Sequence, residues 1–105
     1  MKVIKVEPKK EPYVVDIENT LESLQKEVDG YIEILYPFDE RVCIVCNEEG
    51  KIRNLAPNRT IMKDGYMMDV IVGTFLIAKF KGSDFVSLSE KECEKYMKLF
   101  PVEFA

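Results

Sequence analysis

The chain is 105 residues long, 47% hydrophobic and 32% charged, with a net charge of −4 and no histidine. That is enough chain for one buried core, and it reads as a single domain over residues 1–105. No apolar run approaches the roughly 18 residues of a membrane span. An acidic chain also suits duplex DNA poorly, because that affinity is built from many phosphate contacts.

The N-terminal stretch Lys2–Val6 has charges inside an apolar pattern. It reads as a first strand and not as a signal peptide. Tyr13-Val14-Val15-Asp16-Ile17 is a second strand, antiparallel to the first because the connection is short. Asn19 or Thr20 caps a helix whose Leu21, Leu24 and Val28 share one face, and Gly30 ends it. Tyr31–Tyr36 is strand three.

Arg41–Arg59 is the most informative stretch. Val42-Cys43-Ile44-Val45-Cys46 is a short apolar strand. Asn47-Glu48-Glu49-Gly50 then suits a hairpin turn with a left-handed glycine. The return arm is basic and rich in amides, with Lys51, Arg53, Asn54, Asn58 and Arg59, and Pro57 breaks it. Ala56–Arg59 is therefore expected to be irregular.

Asp64-Gly65 is a two-residue turn between Ile61-Met62 and Tyr66-Met67. Asp69–Phe80 is the longest apolar run and reads as one central strand, with Gly73 at a bulge or close approach. Lys81–Asp84 is a turn. Ser89 caps the last helix, with Glu92 at the capping-box position and Leu88 able to staple onto Cys93. Cys93, Tyr96, Met97 and Phe100 form its inward stripe, and Pro101 stops it. The expected fold is α+β, a mainly antiparallel sheet of five to seven strands with two helices packed on it.

Charge is unevenly placed. Residues 13–50 carry ten acids against two bases, a balance of −8, and residues 51–66 carry four bases against one acid, a balance of +3. A short basic island suits one small anion or an acidic patch on a partner. It also suits a plain solvated loop. Arg59 with Asn58, and Lys51 with Arg53, are the candidate anion ligands, since guanidinium groups clamp phosphate or carboxylate bidentately. Asp69 is either part of that site or the ion-pair partner that holds Arg59.

Cys43-Ile44-Val45-Cys46 has the spacing of a metal or redox pair. An Ile-Val spacer in a strand sends the two sulfurs to opposite faces, and no second ligand pair is near. The cysteines read as core thiols, odd in number and reduced, which fits a cytoplasmic protein. Glu48 and Glu49 read as solvated turn residues. With no histidine, no catalytic triad and no phosphate-binding glycine loop, the chain reads as a binder more than an enzyme. No metal or cofactor is expected.

Several segments together resemble a known family. They are Val6-Glu7-Pro8, Asn19–Gln25, Gly30–Glu33, Asn47–Lys51, Pro57-Asn58-Arg59, Asp69–Phe75 and the closing Ser87-Leu88-Ser89-Glu90. In this order they resemble domain of unknown function family 3846. That resemblance implies a small accessory protein of a bacterial phage, plasmid or conjugative element, with no catalytic residues to carry over. By analogy it suggests an anti-defence factor. Such a protein would bind a nucleotide-like anion or a host protein through Asn47, Lys51, Arg53, Asn58 and Arg59, with Asp69 and Thr74 beside them. The alternatives are a regulatory module that pairs with another protein, or with its own copy, at a sheet edge, and an enzyme using Glu49 or Asp69.

Overall fold

The computed structural model describes residues 1–104. The main sheet contains β1 (Lys2–Val6), β2 (Tyr13–Asp16), β3 (Ile32–Leu35), β4 (Val42–Asn47), β7 (Phe75–Lys81) and β8 (Asp84–Val86). Its strands run in the order β2-β1-β7-β4-β3, with β8 paired to the end of β7, and every pairing is antiparallel. A separate two-stranded sheet is formed by β5 (Pro57–Lys63) and β6 (Tyr66–Val72). The helices are α1 (Leu21–Val28) and α2 (Glu90–Met97). The fold is thus α+β, as expected.

Alternation along the strands splits the core in two. Ile4, Val6, Val42, Ile44, Cys46, Phe75 and Ile77 point to one face, where Ile61 and Ile71 of the hairpin and Cys93 and Tyr96 of α2 cover them. Val3, Cys43, Val45, Leu76 and Ala78 point to the other, beneath Leu24 and Val28 of α1. The central strands β4 and β7 are therefore covered on both sides, which is why their sequences run apolar without alternation.

Both helix starts form as their sequences dictate. The Thr20 hydroxyl accepts from the Ser23 N–H at 3.1 Å. Ser89 and Glu92 make a complete capping box. Leu21, expected on the inner face of α1, is instead exposed. The left-handed residue at the end of α1 is Asp29 (φ 59°), one place before the expected Gly30.

Three expectations are corrected. First, β4 does not turn back through Asn47–Gly50 into a paired arm. Its neighbours are β3 and β7, and Glu48–Asn54 forms successive turns. The left-handed residue there is Asn54 (φ 56°), not Gly50. Second, Pro57–Arg59 is not irregular. It opens β5, with a register shift between Pro57 and Arg59 that accommodates Asn58. Third, Asp69–Phe80 is two strands and not one. The chain leaves the small sheet at Val72, turns at Gly73 and enters the main sheet at Phe75. Gly73 has φ +76°, and a Cβ there would lie 2.7 Å from the Leu55 Cδ1. A left-handed residue against another side chain is the close approach the sequence signalled.

The Asp64-Gly65 turn forms as expected, with positive φ at both residues and Lys63 opposite Tyr66. It closes a hairpin whose base is buried and whose outer part stands in solvent.

Candidate functional site

The seven residues singled out as ligand candidates separate into three groups. Asn58 and Arg59 are fully buried. The Asn58 amide donates to the carbonyls of Val6 (2.9 Å) and Gly73 (2.8 Å). Its oxygen accepts from Arg59 Nη1 at 2.6 Å. The guanidinium also donates to the carbonyls of Lys10 (2.6 Å) and Phe100 (3.3 Å). These two residues rivet the base of the hairpin to the end of β1, the β1–β2 turn, the entry to β7 and the segment after α2. Asp69 pairs with Lys51 and not with Arg59, which contacts carbonyl oxygens and makes no carboxylate ion pair among the described residues. Burial pushes the Arg59 pKa down, and Glu103 and Glu11 oppose that shift from a distance. Neither Asn58 nor Arg59 presents a group to a ligand.

Asn47 and Arg53 form the second group, and both serve the end of α1. The Asn47 amide donates to the carbonyls of Val28 (3.0 Å) and Asp29 (3.1 Å), and its oxygen accepts from the Glu49 N–H (2.7 Å). Arg53 donates to the Asp29 carbonyl (2.5 Å) and carboxylate (3.1 Å). The last carbonyls of a helix lack intrahelical partners and carry partial negative charge, so an amide and a cation are well placed there.

Lys51 and Asp69 are the third group, and they meet. Lys51 Nζ lies 2.5 Å from Asp69 Oδ1, which also accepts from the Val70 N–H at 2.8 Å. The hydrogen bond to Asp69 holds the Lys51 pKa above its ordinary value. The pair stands in a cleft of about 250 Å³ between β6 and the β3–β4 side of the main sheet, which Glu33 and Glu48 also line. Thr74 lies elsewhere, in a second cleft beside Leu55 and Gly73.

Cys43 and Cys46 are buried on opposite faces, as their spacing predicts, and burial pushes both thiols up to about 12. Among the described residues, no group of three or more His, Cys, Asp or Glu is placed to hold a metal ion. No helix among them is long and apolar enough to cross a membrane.

A family model described as a domain of unknown function (DUF3846) matches residues 1–101. The chain belongs to that family. No curated protein and no solved structure matches it.

The most conspicuous surface of this DUF3846 chain was not among the sequence-derived candidates. Met62, Tyr66, Met67 and Met68 lie on the outer part of the β5–β6 hairpin, and each is between 43% and 79% exposed. The sequence signal was available. Tyr66-Met67-Met68 follows a strong turn, and three consecutive apolar residues in a hairpin cannot all face one core.

Proposed function

We propose that this protein acts by binding another protein and that the outer part of the β5–β6 hairpin is its contact surface. The observation that carries the reading is that Met62, Tyr66, Met67 and Met68 all stand in solvent around the outer part of a strand pair whose base is locked into the core, with Met62 paired directly with Met67 across the two strands. Clustered exposed apolar side chains mark interaction surfaces. Methionine adapts to a partner's shape, and tyrosine adds a large contact with a polar tip. The setting we propose is an accessory role in a bacterial mobile element, where blocking a host defence protein would use such a surface. That setting draws on the family resemblance alone.

A nucleotide-like anion is the second reading, supported by Lys51 in the cleft. It is the weaker one. Lys51 is already paired with Asp69, and Glu33 and Glu48 add negative charge around it. Arg59 and Asn58, which would have strengthened an anion site, are buried.

The test compares wild type with the Met67→Glu/Met68→Glu double variant, each tagged and purified from the native host. Both side chains are exposed, so the melting temperatures should agree. Wild type is expected to retain a stoichiometric protein partner that the double variant loses. Retention of the same partner by the variant overturns the reading. So does a thermal shift with a mono-, di- or cyclic nucleotide that Lys51→Ala abolishes.

A further inference from the structure

The chain carries three cysteines and five methionines, and the fold sorts their sulfur atoms into two sets. Cys43, Cys46 and Cys93 are buried, and burial raises all three thiols above their ordinary value, so the reactive thiolate is scarce. The Met1 side chain is 4% exposed, and Met97 packs against the core. Met62, Met67 and Met68 are 52%, 65% and 43% exposed and belong to neither core cluster. All three exposed sulfur residues therefore sit on the outer part of the β5–β6 hairpin.

The strand pairing brings them together. Met62 is the cross-strand partner of Met67. Directly opposed side chains share one face of a strand pair, with Cβ atoms about 4.5–5.5 Å apart. Met68 follows at the register shift between the Met62–Met67 and Ile61–Asp69 pairs. The fold does not depend on these side chains, because the base of the hairpin is held by Ile61, Ile71, Asn58 and Arg59.

We propose that Met62, Met67 and Met68 form a methionine-oxidation site, through which hydrogen peroxide switches the contact surface off. The thioether sulfur attacks one peroxide oxygen, so that a sulfur–oxygen bond forms and the O–O bond breaks. Sulfur gives up two electrons, and the second oxygen leaves with both protons as water. Methionine sulfoxide reductases reverse the step. The sulfoxide oxygen then leaves as water, and two reductase thiols become a disulfide.

Sulfoxidation makes a flexible apolar side chain polar and disrupts methionine-rich interfaces. In the free protein the added oxygen meets water, so the fold is kept. Against an apolar partner the same oxygen is buried without a donor, so the partner is released. Redox-sensing cysteines are solvent-accessible and of low pKa, and none of the three here is either. This inference rests on the reading of the hairpin as a contact surface and adds what regulates it.

The test treats purified protein with hydrogen peroxide and maps the oxidised residues by peptide mass spectrometry. Oxygen is expected at Met62, Met67 and Met68 before Met1, Met97 or any cysteine. The melting temperature should stay within about 2 °C of untreated protein. Retention on a phenyl matrix should drop, and the two sulfoxide reductases, one for each sulfur epimer, should restore it. Oxidised protein is expected to capture at least about tenfold less of the host partner, a change of about 1.4 kcal/mol, and to regain it after the reductases. Met62→Leu/Met67→Leu/Met68→Leu keeps the apolar volume without an oxidisable sulfur, so its capture should survive peroxide.

Oxygen appearing first at Met97 or a cysteine overturns the inference. So does a melting temperature that falls with oxidation of the hairpin, or a leucine variant as sensitive to peroxide as wild type. The two readings fail separately. If Met67→Glu/Met68→Glu loses the partner while fully oxidised wild type keeps it, the contact surface stands and the switch does not. If the glutamate variant keeps the partner, the contact surface itself falls.

Discussion

Arg59→Ala is the most instructive single change in this protein. On the surface, the residue would contribute to ligand binding and little to stability. In the fold it is fully buried, and its donors serve the carbonyls of Lys10 and Phe100 and the side chain of Asn58. No buried polar side-chain atom among the described residues lacks a partner. Truncation leaves two or three acceptors unpaired, at about 1–3 kcal/mol each, and opens a cavity beside them. Water entering the cavity recovers part of this, so the expected loss is about 3–5 kcal/mol, a large share of the roughly 5–15 kcal/mol typical of a domain. At about 4–8 °C per kcal/mol, the melting temperature should fall by at least about 12 °C. Urea unfolding should show a lower midpoint with an unchanged slope. Arg59→Lys keeps the charge but loses the planar fork, and should fall in between. A melting temperature within about 2 °C of wild type for Arg59→Ala would refute the buried clamp, since that corresponds to under about 0.5 kcal/mol.

Three further outcomes follow from the same geometry. Asn47→Ala should cost about 1–3 kcal/mol by urea unfolding, because the Val28 and Asp29 carbonyls lose their shared donor. Asn47→Asp should cost more, since it turns a carboxylate toward them. Gly73→Ala should destabilise by about 1–3 kcal/mol, from a left-handed backbone and a Cβ 2.7 Å from Leu55. Leu55→Ala in the same chain should recover the contact part and leave the backbone part, so two equal unfolding midpoints would contradict the contact. Cys43 and Cys46 should resist alkylation at pH 8 in the folded protein and react in urea. Their thiols are held protonated in the fold, up to about 12, against an ordinary value of 9.0. The unfolded chain therefore releases those protons first, and stability should fall as pH rises from 9 toward 12. A stability curve flat across that window would count against their burial.

Residues that follow local rules were legible in the sequence. The cap at Ser89, the Asp64-Gly65 turn, the inward Cys93 and Tyr96 of α2 and the opposed cysteines follow from chemistry within a few positions. The first cap was narrowed only to Asn19 or Thr20, and α2 ends at Met97, with Phe100 packing into the core beyond the helix and before the expected stop at Pro101. The errors came where tertiary contacts decide. Asp69–Phe80 reads as one strand because apolar residues continue through it, and only packing against Leu55 shows why Gly73 divides it. Asn58-Arg59 looks like a ligand clamp because groups suited to an anion's oxygens are equally suited to buried carbonyls. Nothing local separates the two uses. Asn47 was a turn residue by propensity and became the cap of a helix 19 residues earlier. The separation of β5 and β6 into a sheet of their own was equally hidden, because which strands pair is a property of the assembled fold.

The central claim is that the outer hairpin is the contact surface. A photo-crosslinking amino acid placed singly at Met62, Met67 and Met68, with Lys81 on β7 as control, tests it most directly in living host cells. The account predicts a covalent adduct with one protein from the hairpin positions and none from position 81. Adducts of equal yield from position 81, or none from any hairpin position, would contradict it.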